Sequence, residues 1–169
     1  TVGPGTQVRI DGFVQEEFEG SDQKVGSLAT EVSSSRMKLD LDIGELVIGV
    51  KKLNKESSLI ISTSMGLAGV RGTHFKVAAN KDRTSVSVLS GAVDFKGLNN
   101  ETRLIAKETR VEATKDALSE AVAIPAADKA RIEGAQQGAK QKTEAVPLGK
   151  LLEAFDEVNP KQVNRFLDG

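Results

Sequence analysis

The chemistry-bearing residues of this chain converge on "GVRGTHFKV", Gly69 to Val77, where its sole histidine stands beside Arg71 and Thr73. An imidazole can act as a general base if a nucleophile lies within hydrogen-bond reach. It can bind a metal if other nitrogen, thiolate or carboxylate ligands join it. His74 has no second histidine to join it, and the chain has no cysteine. Disulfides, thiolate nucleophiles and thiolate metal sites are thereby excluded. Asp40 and Asp42, two positions apart with Glu45 nearby, could offer oxygen ligands to calcium. No glycine-containing twelve-residue calcium loop surrounds them, and they read as a solvated charged face. "EEFE", Glu16 to Glu19, reads as an acidic edge that discourages strand pairing.

The elements that must position these residues are strands. "QVRIDGFV" sets Val8 and Ile10 on one face. "RMKLDLDI" alternates Met37, Leu39, Leu41 and Ile43, and "ELVIGV" continues with Leu46, Ile48 and Val50. "SLIIST", "HFKVAA", "TSVSVLSG", "AVDFKG", "RLIA" and "RVEA" add further short strands. Turn clusters such as "LNKES", "ANKDR" and "GLNNE" separate them. This pattern predicts a mainly β domain over residues 1–114, a twisted sandwich or roll, with a solenoid as the alternative. "LDIGELVIGV" and "VLSGAVDFKG" echo one another, each with a glycine where a strand would bend. The opening "TVGPGTQVRIDGF" is expected to continue a hairpin whose first strand lies upstream.

After Thr114 the composition turns to Ala, Glu, Lys and Gln. Residues 115–146 read as a linker with a partial helix entered at Pro125. Gly134 and Gly138 each cost that helix about 1 kcal/mol against alanine, so it is expected to be short or frayed. Residues 147–169 read as two short amphipathic helices. Leu148, Leu151, Leu152, Phe155 and Val158 line the first, and Val163, Phe166 and Leu167 line the second. Leu151, Leu152, Phe155, Phe166 and Leu167 are the candidate protein-binding residues, unless they dock on the β-domain itself.

The stretch from "SLIISTSMGLAGVRGTHFKV" through "TSVSVLSGAVDF" resembles the FecR domain family. Val70, Arg71, Gly72, Thr73, Phe75, Val77, Val86, Val88, Gly91 and Val93 carry the resemblance, and Ser64 departs from it where proline is common. The resemblance implies an extracytoplasmic bacterial β-domain that binds protein and performs no chemistry. Its best-known members relay signals from outer-membrane iron transporters to cytoplasmic sigma factors. The iron-signalling role does not carry over, because the transmembrane and cytoplasmic parts of those regulators have no counterpart in this sequence. Within the motif, Gly72 permits a sharp bend, Arg71 can donate to strand-end carbonyls, and Thr73 can hydrogen-bond locally. Val70, Arg71, Gly72, Thr73 and Gly91 are therefore read as a structural corner rather than a ligand site.

Composition narrows the partners. With 23 basic and 24 acidic residues the chain has no basic excess for nucleic acid. It has six Phe and no Trp or Tyr, which gives little material for the aromatic platforms of a sugar site. No apolar run is of membrane length, and a leader removed from a longer precursor is expected. The expected function is a protein-binding, signal-relay or scaffold module of the cell envelope, without enzymatic activity or cofactor. An envelope glycan- or peptidoglycan-binding module is the alternative.

Overall fold

The computed structural model describes residues 1–16 and 28–143. Among these residues ten strands precede one helix: β1 (Gln7–Gln15), β2 (Ser35–Gly49), β3 (Ser58–Thr63), β4 (Gly66–Val70), β5 (His74–Ala79), β6 (Thr84–Ser90), β7 (Val93–Gly97), β8 (Thr102–Ile105), β9 (Thr109–Ala113), β10 (Val122–Ala123) and α1 (Ala126–Thr143). The strands join in one sheet of order β10-β9-β6-β5-β2-β3-β4-β7-β8, with β1 added on β2. The sheet is curled into a half-barrel. This is the expected mainly β roll; among the described pairs only β2–β3 runs parallel, so the chain does not stack parallel turns as a solenoid would.

β2 explains the curl. "RMKLDLDI" and "ELVIGV" are one strand of 15 residues. Its first part, Ser35 to Ile43, pairs with β1 and β3, and its last, Gly44 to Gly49, pairs with β5. Between them Gly44 takes φ +108°, and a Cβ there would stand 2.4 Å from Thr6 Oγ1. The backbone bends at this point and enters a second layer. Strands β1, β2, β3, β4, β7 and β8 form one layer, while the far half of β2 with β5, β6, β9 and β10 forms the other.

The alternating apolar residues meet between the layers. Ile61, Ala68, Val93 and Phe95 come from one side, and Phe75, Val77, Val86 and Val88 from the other, all nearly inaccessible to solvent. Burial of this kind, at roughly 25 cal/mol per Å² of apolar surface, drives the layers together.

The segment after Thr114 differs from the linker expected there. Leu118 is buried and bridges Ala113, Ser119 N–H donates to the Glu112 carbonyl, and Val122–Ala123 pairs with β9 as the short edge strand β10. Helix α1 runs 18 residues, through Gly134 and Gly138. It is longer than the frayed helix expected, because it packs on β2, β5 and β6, and tertiary contact outweighs intrinsic propensity. The Pro125 carbonyl accepts the first helical bond from Lys129 N–H.

Candidate functional site

Two crossings between the layers occur at the "VRGT" segment. The chain leaves β4 through Arg71–Thr73 and enters β5. Nineteen residues further on it leaves β6 through Gly91–Ala92 and enters β7. Gly72 and Gly91 have φ of +66° and +81°, a region that side chains with a Cβ seldom adopt. The two turns touch: a Cβ on Gly91 would lie 2.6 Å from the Gly72 carbonyl oxygen and 2.8 Å from Thr73 Oγ1. Thr73 is wholly buried, and its hydroxyl donates to the Ala92 carbonyl at 2.8 Å. Its own carbonyl accepts from Val50 N–H at 2.9 Å. Thr73 therefore ties three segments together.

Arg71 takes no part in this clasp. The side chain is exposed and makes no hydrogen bond or ion pair among the described residues, contrary to the expected donation to strand-end carbonyls. The glycines and Thr73 satisfy the corner through the backbone, which leaves the guanidinium in solvent. Arg71→Ala is expected to change the unfolding free energy by no more than about 0.5 kcal/mol, as surface substitutions usually do; urea denaturation would measure it.

His74 opens β5 on the face opposite Phe75. Its Nδ1 lies 3.0 Å from Ser90 Oγ, across the β5–β6 pair. Its ring rests over Gly49, where a Cβ would come 2.8 Å from Cδ2. The pair is a side-chain contact across strands, with no carboxylate hydrogen-bonded to either member among the described residues. Nor does any group of three or more His, Asp or Glu among those residues stand close enough to share a metal ion.

The acidic trio does not converge. Asp40 pairs with Arg9 at 2.6 Å on the outer face of β1 and β2, and Asp42 is exposed. Glu45 lies beyond the Gly44 bend and joins a different cluster, which the sequence reading missed. There Lys76, on the outer face of β5, forms an ion pair and a hydrogen bond with Asp128 of α1 and lies 3.0 Å from Glu45 Oε2. Ser87 Oγ donates to Asp128 at 2.5 Å, Arg110 approaches the same carboxylate at 3.5 Å, and Arg131 reaches Glu45 Oε1 at 2.6 Å. Glu45 Oε1 and Arg110 Nε make no hydrogen bond of good geometry, so the Arg131–Glu45 contact is a charge pair only. Burial by itself would raise the Asp128 carboxyl. Hydrogen bonds from Lys76 and Ser87, with the charges of Lys76 and Arg110, hold it below the ordinary value instead. Ile132, one turn beyond Asp128, is the apolar anchor of α1 and is 1% exposed.

Phe75 and Phe95 are fully enclosed in the core, so neither presents a face for stacking on a sugar. The candidate protein-binding residues Leu151, Leu152, Phe155, Phe166 and Leu167 lie outside the described residues, as does most of "EEFE".

Residues 20–94 match the family model described as FecR protein, so the family resemblance read from Val70–Thr73 and its flanking strands is shown. No curated protein matches the chain. Two solved structures share some of its form, both described as a "putative anti-sigma factor" from Parabacteroides distasonis ATCC 8503. One is 13% identical, with a TM-score of 0.47, over 68% of this chain and 61% of that one. The other is 18% identical, with a TM-score of 0.47, over 82% of this chain and 59% of that one. This chain thus spans about three fifths of the length of either solved chain.

Proposed function

We propose that this chain, FecR-type over residues 20–94, is a protein-binding module that relays a signal in the bacterial cell envelope, on the extracytoplasmic side and without catalysis of its own. The family match is the observation that carries the reading, since FecR proteins are regulatory rather than enzymatic. Among the described residues no helix is long and apolar enough to cross a membrane. The described β-domain encloses Phe75, Phe95 and the Thr73 hydroxyl inside the fold, which supports a role as a rigid frame. The partner is a protein, met through the apolar stripes that follow α1 in the chain, with Leu151, Leu152, Phe155, Phe166 and Leu167 as contact residues.

The test is a crosslinking capture from the envelope fraction of the native organism. The full chain is compared with a Phe155→Asp, Phe166→Asp double variant of unchanged circular dichroism. One protein captured by the parent and at least tenfold less by the variant supports the reading. Equal capture by both moves the contact to the β-domain. Absence of any captured protein overturns the relay reading.

A further inference from the structure

We infer that α1 is a latch: it swings off the sheet as one unit, hinged at Pro125, while the half-barrel beneath it stays folded. The inference goes beyond the relay reading, and only its last step rests on that reading.

The contact is poor in apolar surface. Ile132 is the one large apolar residue among the eighteen of α1. A Cβ on Gly134 or Gly138 would meet nothing within 4 Å, and a groove of about 600 Å³ lies between these glycines and Thr1 and Val47. The second half of α1 therefore stands off the sheet. Across from the first half the sheet presents Lys76, Ser87 and Arg110, with Glu45 beside them. Such groups accept water when the helix leaves. The apolar core lies on the opposite side of the same strands, where Phe75, Val77, Val86 and Val88 stay enclosed. Docking of α1 and folding of the half-barrel thus bury separate surfaces, and such units open separately.

Charge closes the latch. The Asp128 carboxylate takes Lys76, Ser87 and Arg110 at once. An asparagine there keeps the shape but has one oxygen in place of two, so its amide turns an N–H donor on Lys76 or on Ser87 and Arg110. The hinge side is held independently. Ile124 N–H donates to the Glu108 carbonyl at 2.9 Å, and β10 pairs with β9. Movement therefore begins at Pro125. Residues 144–169 follow α1 directly, so under the relay reading a partner that holds them draws on the latch before it draws on the half-barrel.

Native-state hydrogen exchange of the full chain tests this with Asp128→Asn. In the parent, the amides of Arg131 to Ala135 open together and are protected about a hundredfold less, or weaker still, than those of Val86 and Val88. In the variant both sets lose protection by the same factor, because the docking energy is withdrawn from each. α1 then exchanges as a free segment, while Val86 and Val88 keep the parent's margin over it. Equal protection of α1 and β6 in the parent would overturn the proposal. So would a variant in which Val86 and Val88 are no better protected than α1. A distance between two spin labels gives a second readout. The chain has no cysteine of its own, so Asp94→Cys and Gln136→Cys place one label on β7 and one on the exposed side of α1. One narrow distance is expected with Asp128 present and a broad spread with Asp128→Asn. A narrow distance that survives the substitution would also sink the latch. Neither readout involves a partner, so the latch and the relay reading fail separately.

Discussion

Lys76→Met is expected to lower the unfolding free energy by about 3–5 kcal/mol, the range for removing one member of a buried ion pair. Lys76 is 8% exposed and Asp128 5%. The substitution leaves two carboxylates, Glu45 and Asp128, without the cation between them. Arg110, 3.5 Å from Asp128, and Arg131, 2.6 Å from Glu45, compensate only partly. Because domain stabilities are of order 5–15 kcal/mol, the loss should be plain in a urea titration. Hydrogen exchange should show α1 losing protection before β5 and β6. A Lys76→Met, Asp128→Leu double variant should recover most of the loss, since an apolar pair of similar volume often replaces a buried ion pair without cost.

The pH dependence carries a definite sign. The Asp128 carboxyl lies below its ordinary value in the folded protein. Its contribution is therefore complete above the unfolded carboxylate pKa, near 3.9, and is lost as pH falls through the lower folded value. In Lys76→Met the same carboxyl is buried without its main donor, so protonation relieves it. The stability gap between parent and variant should narrow on acidification through this range. A gap that widens would show that Lys76 acts chiefly through some other group.

The second large effect is expected at Gly91. A valine there must adopt φ near +81° and place its Cβ against the Gly72 carbonyl and the Thr73 hydroxyl. Backbone strain at such a position costs of order 1–3 kcal/mol. Displacing Thr73 from the Ala92 carbonyl adds about 1–3 kcal/mol for a buried polar group left unpaired. Gly91→Val should thus lose about 4 kcal/mol, or fail to fold. Thr73→Val should lose only the hydrogen-bond share. Gly12→Ala, where the added methyl meets nothing within 4 Å, should lie close to the parent. Urea midpoints for the three variants would rank them.

The strands were legible because most face water on one side and the core on the other, so alternation marks them. The two echoing glycines, Gly44 and Gly91, proved to share a positive φ, and each stands at a bend. At Gly44 the strand turns and still carries its pairing into another layer. The docked helix was much harder to read. Among the described residues α1 buries only Asp128 and Ile132, and one apolar side chain makes no stripe. A fainter signal lay on the sheet. Ser85 and Ser87 alternate with the core valines of β6 and are themselves buried, so both faces of that strand are covered. Small residues on an outer face leave room for a helix to approach, but serines are equally common on solvated strands. Lys76 likewise reads as an exposed charge until the helix is placed above it. The corner was legible as a corner from its glycines, whereas the position of the Arg71 side chain depended on which groups the backbone had already satisfied.

The single backbone of β2 has a mechanical consequence. A load applied to the first half of β2 reaches the layer that carries α1 along covalent bonds, without passing through the weaker contacts between facing side chains. Shear between the layers therefore strains the backbone of β2 as well as the packing. The contact between the Gly72 and Gly91 turns braces the same two layers at a second place.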